Sequence, residues 1–159
     1  MPATRRSSGT RIIRKRSATC IKQFVGAGAD IIFTNTFGLQ SRHRLKLHKA
    51  EGRVYELAKM AAEIACEVAD AAPRDRRGRG SIGPTGELFE PLGALTERPQ
   101  SSRSASCAAG SEGWRCRHRL IETMSAAEEI PRRAATAAHC RPGLPYTATL
   151  LVRPPPVRR

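Results

Sequence analysis

A chain of 159 residues is long enough for one domain with its own core, and 28 Lys+Arg against 14 Asp+Glu leave it at +14. Such charge ordinarily points to nucleic acid, but aromatics are only 4% of the residues and the basic runs lack interleaved aromatics, which argues against a base-stacking surface. No apolar run approaches the roughly 20 residues needed to span a bilayer, and the first residues lack the apolar stretch of a secretory signal.

Residues 1–22 are rich in Arg and Ser, and no acid occurs before Asp30. They are expected to be a disordered basic segment, with only a superficial likeness to an organellar transit peptide. Ile21, Phe24 and Val25, at i, i+3 and i+4, predict the end of a helix that stops at Gly26 or Gly28. An apolar run then predicts a strand over residues 29–34, closed by the polar tip Thr34, Asn35 and Thr36. A continuous apolar run is the mark of a parallel strand covered on both faces, and its carboxyl end is where α/β folds place ligand contacts.

From residue 42 to 72 the period is helical, and the best-determined part is residues 53–72. Val54, Leu57, Ala61, Ile64 and Val68 form one stripe, while Arg53, Glu56, Lys59, Glu63 and Glu67 take the remaining surface. Glu56 and Glu63 are spaced to pair with Lys59 and neighbouring cations, and Pro73 ends the helix. The strand of residues 29–34 is expected to pack on this helix.

Beyond it the pattern weakens. An α/β repeat needs an apolar strand leading into Gly80-Ser-Ile-Gly83, but residues 74–80 read Arg-Asp-Arg-Arg-Gly-Arg-Gly. Four arginines in a central strand would carry a large desolvation cost. Residues 98–107 have no apolar period, and residues 113–119 stand where another strand would lead into Ile121. A capping box at Ser125-Ala-Ala-Glu128 predicts a helix start that meets Pro131. Residues 98–119 and those after Leu150 are expected to be poorly ordered, because neither can bury enough apolar surface to offset chain entropy.

Five blocks occur in order: AGADIIFTNTFG at 27–38, RHRLKLHKAEGRVYELAKMAAEIA at 42–65, GSIGPTGELFEPLGALT at 80–96, IETMSAAEEI at 121–130 and GLPYTATL at 143–150. Together they resemble the homocysteine S-methyltransferase family, which includes betaine-type enzymes and the homocysteine module of methionine synthase. The resemblance implies methyl transfer to the homocysteine thiol, giving methionine, and the cysteine usage leads to the expectation of a cytoplasmic protein. It also implies an α/β fold, a (β/α)₈ TIM barrel, of which residues 23–150 would hold about the first half. A complete barrel typically takes about 250 residues. Arg/Pro/Ser-rich text between the matching blocks is what a GC-rich gene read in a shifted frame would produce. The chain is therefore expected to be a truncated, frame-disrupted member, inactive alone, with residues 151–159 as a disordered tail.

By resemblance, Thr34 at the second barrel strand's end and Glu122 at the fourth's hold the amino-acid end of homocysteine. Asn35 and Phe37 are expected to line the same mouth, Phe37 near the methyl-donor side or in packing. The 83–87 turn is expected to be a rigid loop shaping the barrel's top; no Lys-Ser or Lys-Thr follows, so it is not a phosphate loop. An acidic motif that the family carries before its first helix is absent from residues 1–22. The family holds its substrate sulfur as a thiolate on zinc, through three cysteines of later strands, two of them adjacent. Cys20, Cys66, Cys107, Cys116 and Cys140 match none of these, so no zinc ligand and no cofactor is expected in this chain. Their wide, odd spacing gives no disulfide framework either, which fits a reducing compartment.

Partners implied are homocysteine and a methyl donor, with no specific nucleic acid and no membrane. Two alternatives stand beside this reading. One is a small basic nucleic-acid-binding protein, whose salt-sensitive binding would follow from charge alone. The other is a half-barrel subunit completed by another chain.

Overall fold

The apolar run Ile31–Phe33 becomes strand β1 at one edge of a four-stranded sheet. A computed structural model describes residues 3–73, 77–86, 118–140 and 142–152. Helix α1 (Ala3–Gly26) precedes β1, and helices α2 (Arg42–Leu47) and α3 (Val54–Asp70) follow it. Then come β2 (Arg77–Ile82), β3 (His118–Met124), helix α4 (Glu129–Cys140) and β4 (Tyr146–Leu150). The sheet order is β1-β2-β3-β4 and every pairing is parallel, with Ile31 opposite Arg77, Ile82 opposite Ile121 and Ile121 opposite Ala148. The fold is therefore mixed α/β with a small parallel sheet.

The helices cover one face of the sheet. Ile32 joins Ile21 of α1 and Ala62, Ile64, Ala65 and Val68 of α3 in one cluster, while Ile82, Ile121 and Met124 join Ala134 and Ala137 of α4 in another. A third cluster of Leu45, Val54 and Ala58 seats α2 on the start of α3. Successive strand side chains point to opposite faces. Ile31 and Phe33 consequently turn away from the helices and are exposed.

Helix α3 follows its apolar stripe closely. Val54, Ala61, Ile64 and Val68 are buried, Leu57 is half-buried, and Glu56, Lys59, Glu63 and Glu67 are exposed. At the end of α1, Gly28 adopts φ +96, and the Gly28 and Ala29 amides donate back to Val25 and Phe24 at 3.1 and 3.0 Å. A residue in the left-handed region turns the chain out of the helix at this point, which suits glycine.

Four expectations are corrected. Helix α1 starts at Ala3, in the segment expected to be disordered. Its acids come from a distant element: Arg14 pairs with Glu67 and, at 3.5 Å, with Glu63 of α3, and Ile21 anchors the same helix in the core. Second, β2 forms across Arg77-Gly-Arg-Gly80, because its main chain is paired on both sides, to β1 and to β3. Main-chain pairing satisfies the ladder whatever the side chains. Third, β3 runs through His118 and Arg119, within the stretch expected to be poorly ordered. Arg119 is only 5% exposed and its main-chain N–H donates to the Pro145 carbonyl at 3.0 Å. Fourth, α4 begins at Glu129, past the capping box, so that Pro131 falls in its first turn, where a missing N–H costs no helical hydrogen bond. The remainder of 98–119 and most of the tail after Leu150 lie outside the described residues.

Of the acids of α3, Glu56 pairs with a neighbouring cation, as its spacing allows, whereas Glu63 and Glu67 take Arg14 of α1. Arg53 donates through Nε and Nη2 to the Glu56 carboxylate at 2.8 and 2.7 Å, a solvent-exposed pair. These hydrogen bonds hold the Glu56 carboxyl below its ordinary range. The small stabilisation this carries is present above the ordinary carboxylate pKa and is lost as pH falls through the lowered one. In Arg53→Ala the Glu56 titration, followed by NMR, is expected to return upward to the ordinary range. Among the described residues no helix is long and apolar enough to cross a membrane.

Candidate functional site

The carboxyl ends of β1, β2 and β3 meet in a chain of hydrogen bonds centred on Ser81. The Thr36 hydroxyl donates to the Ser81 carbonyl at 2.6 Å. With that proton committed, the 2.7 Å contact between the Thr36 and Thr34 hydroxyls must have Thr34 as donor. Thr34 Oγ1 in turn accepts from the Ser81 main-chain N–H at 3.0 Å. The Ser81 side chain then reaches across to β3 and donates its hydroxyl to Glu122 Oε1. Thr34, Thr36 and Ser81 are buried, and Glu122 is half-buried at the open side.

The electrostatic character of this cluster follows from where its protons go. Thr34 has spent its only proton, so toward a ligand its hydroxyl can act only as an acceptor. Glu122 Oε2 makes no hydrogen bond among the described residues. Both groups therefore suit a ligand that donates, above all a cationic nitrogen.

A backbone irregularity sets Glu122 apart from its strand. The β3–β4 register shifts between Ile121 and Met124, and Thr123 has φ +62, a costly conformation for a β-branched residue. Its amide is held by the Thr149 hydroxyl at 2.9 Å. The effect is visible on either side: Ile121 and Met124 both lie in the helix-side cluster, whereas strict alternation from Ile121 would put Met124 on the face that carries Glu122.

The loop after β2 is clamped from three directions. Gly83 donates its N–H to the buried Gln40 Oε1 at 3.3 Å, and a Cβ on Gly83 would lie 2.2 Å from the Phe37 carbonyl oxygen. Thr85 donates its main-chain N–H and its hydroxyl to Glu129 Oε1 at 3.0 and 3.2 Å. The same oxygen accepts from Arg133 Nε and Nη2 at 3.3 and 2.8 Å. Arg133 and Glu129 are 1% and 2% exposed, so this is a buried, hydrogen-bonded ion pair beneath the loop. The rigid turn expected here is thus held by residues of α4 and of the segment after β1.

Of the four residues singled out in the sequence, the structure joins Thr34 to Glu122 through Ser81. Asn35 is exposed and borders a cavity of about 370 Å³ between α1 and β1, together with Phe24, Ile31 and Phe33. Phe37 is half-buried, packs against Gly83 and carries the Arg44 guanidinium 5.9 Å from its ring centre. Sequence reasoning missed Ser81, Gln40, Glu129 and Arg133. For Ser81 a signal existed, since it lies inside the Gly80–Gly86 motif; for the other three there was none, because each acts on a segment distant in the chain.

Among the described residues no three His, Cys, Asp or Glu side chains come together, Cys20 is exposed on α1 and Cys66 is half-buried on α3. These residues do not fit a thiolate zinc centre. No curated protein matches the chain closely enough to add a relative. A family model described as homocysteine S-methyltransferase matches residues 14–155, a span that includes every strand and the whole Ser81 cluster. The chain belongs to the homocysteine S-methyltransferase family.

Proposed function

We propose that the Ser81 cluster binds the amino-acid head group of homocysteine, with the Glu122 carboxylate and Thr34 Oγ1 facing the ammonium. The observation that carries this is the Ser81 hydroxyl bridging to Glu122 while the Ser81 amide fixes Thr34, so that the ends of β1 and β3 present two acceptors together across β2. Asn35 and Phe37 flank this mouth. The reaction class is methyl transfer to the homocysteine sulfur, within a barrel of which this sheet is one part. Zinc would hold the sulfur as a thiolate, and the described residues do not fit such a centre. The 159-residue chain by itself is a head-group binder without turnover, because holding the amino-acid end alone does not lower the barrier at sulfur.

Calorimetry with L-homocysteine, zinc analysis and a methyl-transfer assay on the purified chain test this reading. The expected results are measurable binding, no stoichiometric zinc and no turnover with betaine, methylfolate or S-methylmethionine. In Glu122→Gln the affinity is expected to fall by about tenfold or more, since a charge-assisted contact is worth roughly 1.5–3 kcal/mol. Unchanged binding in Glu122→Gln would remove the head-group assignment. One-to-one zinc with turnover that disappears in Glu122→Ala would overturn the second half.

A further inference from the structure

Large apolar side chains on the surface of this chain are not scattered. Nine are exposed among the described residues, and seven of them stand at the two outer edges of the sheet. Phe24, Ile31 and Phe33 border the free side of β1, and Tyr146, Leu150, Leu151 and Val152 belong to β4 and the residues directly after it. Clustered exposure of this kind marks an interaction surface, whereas single exposed residues need no explanation. The β1 side is moreover a trough: the cavity of about 370 Å³ is walled by α1 through Ser17, Cys20, Ile21 and Phe24 and floored by β1.

The sheet itself says what fits there. β1 and β4 are edge strands whose outer main-chain groups have no strand partner among the described residues. All four strands are parallel, so the outer edge of β4 has the direction needed to pair with the outer edge of β1. The helices α1, α3 and α4 cover one face, leaving the face of Ile31 and Phe33 open. Parallel sheets are ordinarily covered on both faces, and a sheet that rolls up on itself meets this condition with no further layer. The four strands among the described residues are half the number that closes the common parallel barrel.

We propose that the β1 trough receives β4 of a second copy of this chain, and reciprocally, so that two copies close one eight-stranded parallel barrel. Each seam is head-to-tail, β4 against β1, and the twofold arrangement closes the ring after two copies instead of growing a filament. The open faces of the two sheets then become a shared interior, and the Ser81 cluster of each copy lies at the same rim. Association works against the mutual repulsion of two chains at +14, so it is expected to strengthen with added salt. The inference does not depend on which ligand the Ser81 cluster takes.

Sedimentation velocity on the full chain across 1–100 μM, at about 0.15 and 0.5 M salt, tests it. The expected species is a dimer, more populated at the higher salt. Phe33→Lys and Leu150→Glu change residues that are 44% and 43% exposed in one copy, so each variant should keep its circular dichroism spectrum. Each should raise the dimer dissociation constant by more than about tenfold, because a charge enters the seam core. An equimolar mixture of the two should re-form dimers, since one seam is then unaltered and the other sets Lys against Glu. A monomer throughout, polymers that do not stop at two, a variant that stays dimeric, or a mixture that fails to recover would each overturn the proposal.

Discussion

Replacing Glu129 with alanine is expected to lower the unfolding free energy by about 3 kcal/mol or more, read as a shifted urea midpoint at unchanged slope. One carboxylate oxygen accepts four hydrogen bonds, two from Thr85 and two from Arg133, and both ionic partners are almost wholly buried. Truncation removes the carboxylate facing a buried guanidinium and strips Thr85 of two interactions at once. The pair itself need not be strongly stabilising, since burying two charges costs nearly what their attraction returns. The double variant Glu129→Leu/Arg133→Met should therefore lose less than the sum of the single substitutions. A double variant as costly as that sum would mean the two residues act separately. Because Glu129 ties α4 to the loop after β2, its loss should also raise hydrogen exchange at Thr85 before the sheet is affected.

Gly83→Ala is the second large effect, with an expected loss of about 1–3 kcal/mol, typical of forcing an atom into a filled space. The added Cβ would lie 2.2 Å from the Phe37 carbonyl oxygen and 2.9 Å from Phe37 Cδ2. The nearest obstacle is main chain, so no side-chain rotation relieves it. Phe37→Ala should accordingly fail to rescue Gly83→Ala, which separates a backbone collision from crowding by the ring. Gly52→Ala is the control, as a Cβ there meets nothing within 4 Å, and its stability should stay within about 0.5 kcal/mol of the parent. Displacing Gly83 also pulls on Ser81, two residues earlier, so homocysteine binding should weaken along with stability. A Gly83→Ala protein with parental stability and binding would show that the loop is looser than its contacts indicate.

The features legible in the sequence were local in origin. The stripe Val54, Ala61, Ile64 and Val68 became the buried face of α3, the apolar run before Thr34 became β1, and Gly28 marked the turn out of α1. Periodicity over a few residues and a glycine where φ is positive need no knowledge of the rest of the chain. The family blocks likewise drew attention to Thr34 and Glu122 without saying what stood between them. The rest depended on contacts between segments far apart in the chain. The arginine-rich text before Gly80 and before Leu120 argued against strands, yet β2 and β3 form there because neighbouring main chains supply hydrogen-bond partners that no window of sequence contains. Arg14 finds its acids on α3, 49 and 53 residues away by numbering, so a segment that carries no acid of its own is folded as helix. Ser81 reaches Thr34 and Glu122 across separations of 47 and 41 residues, and Thr85 reaches Glu129 across 44. A buried polar group must be satisfied by whatever the fold brings to it, and in this chain those partners are set by the pairing of distant strands, not by the residues alongside.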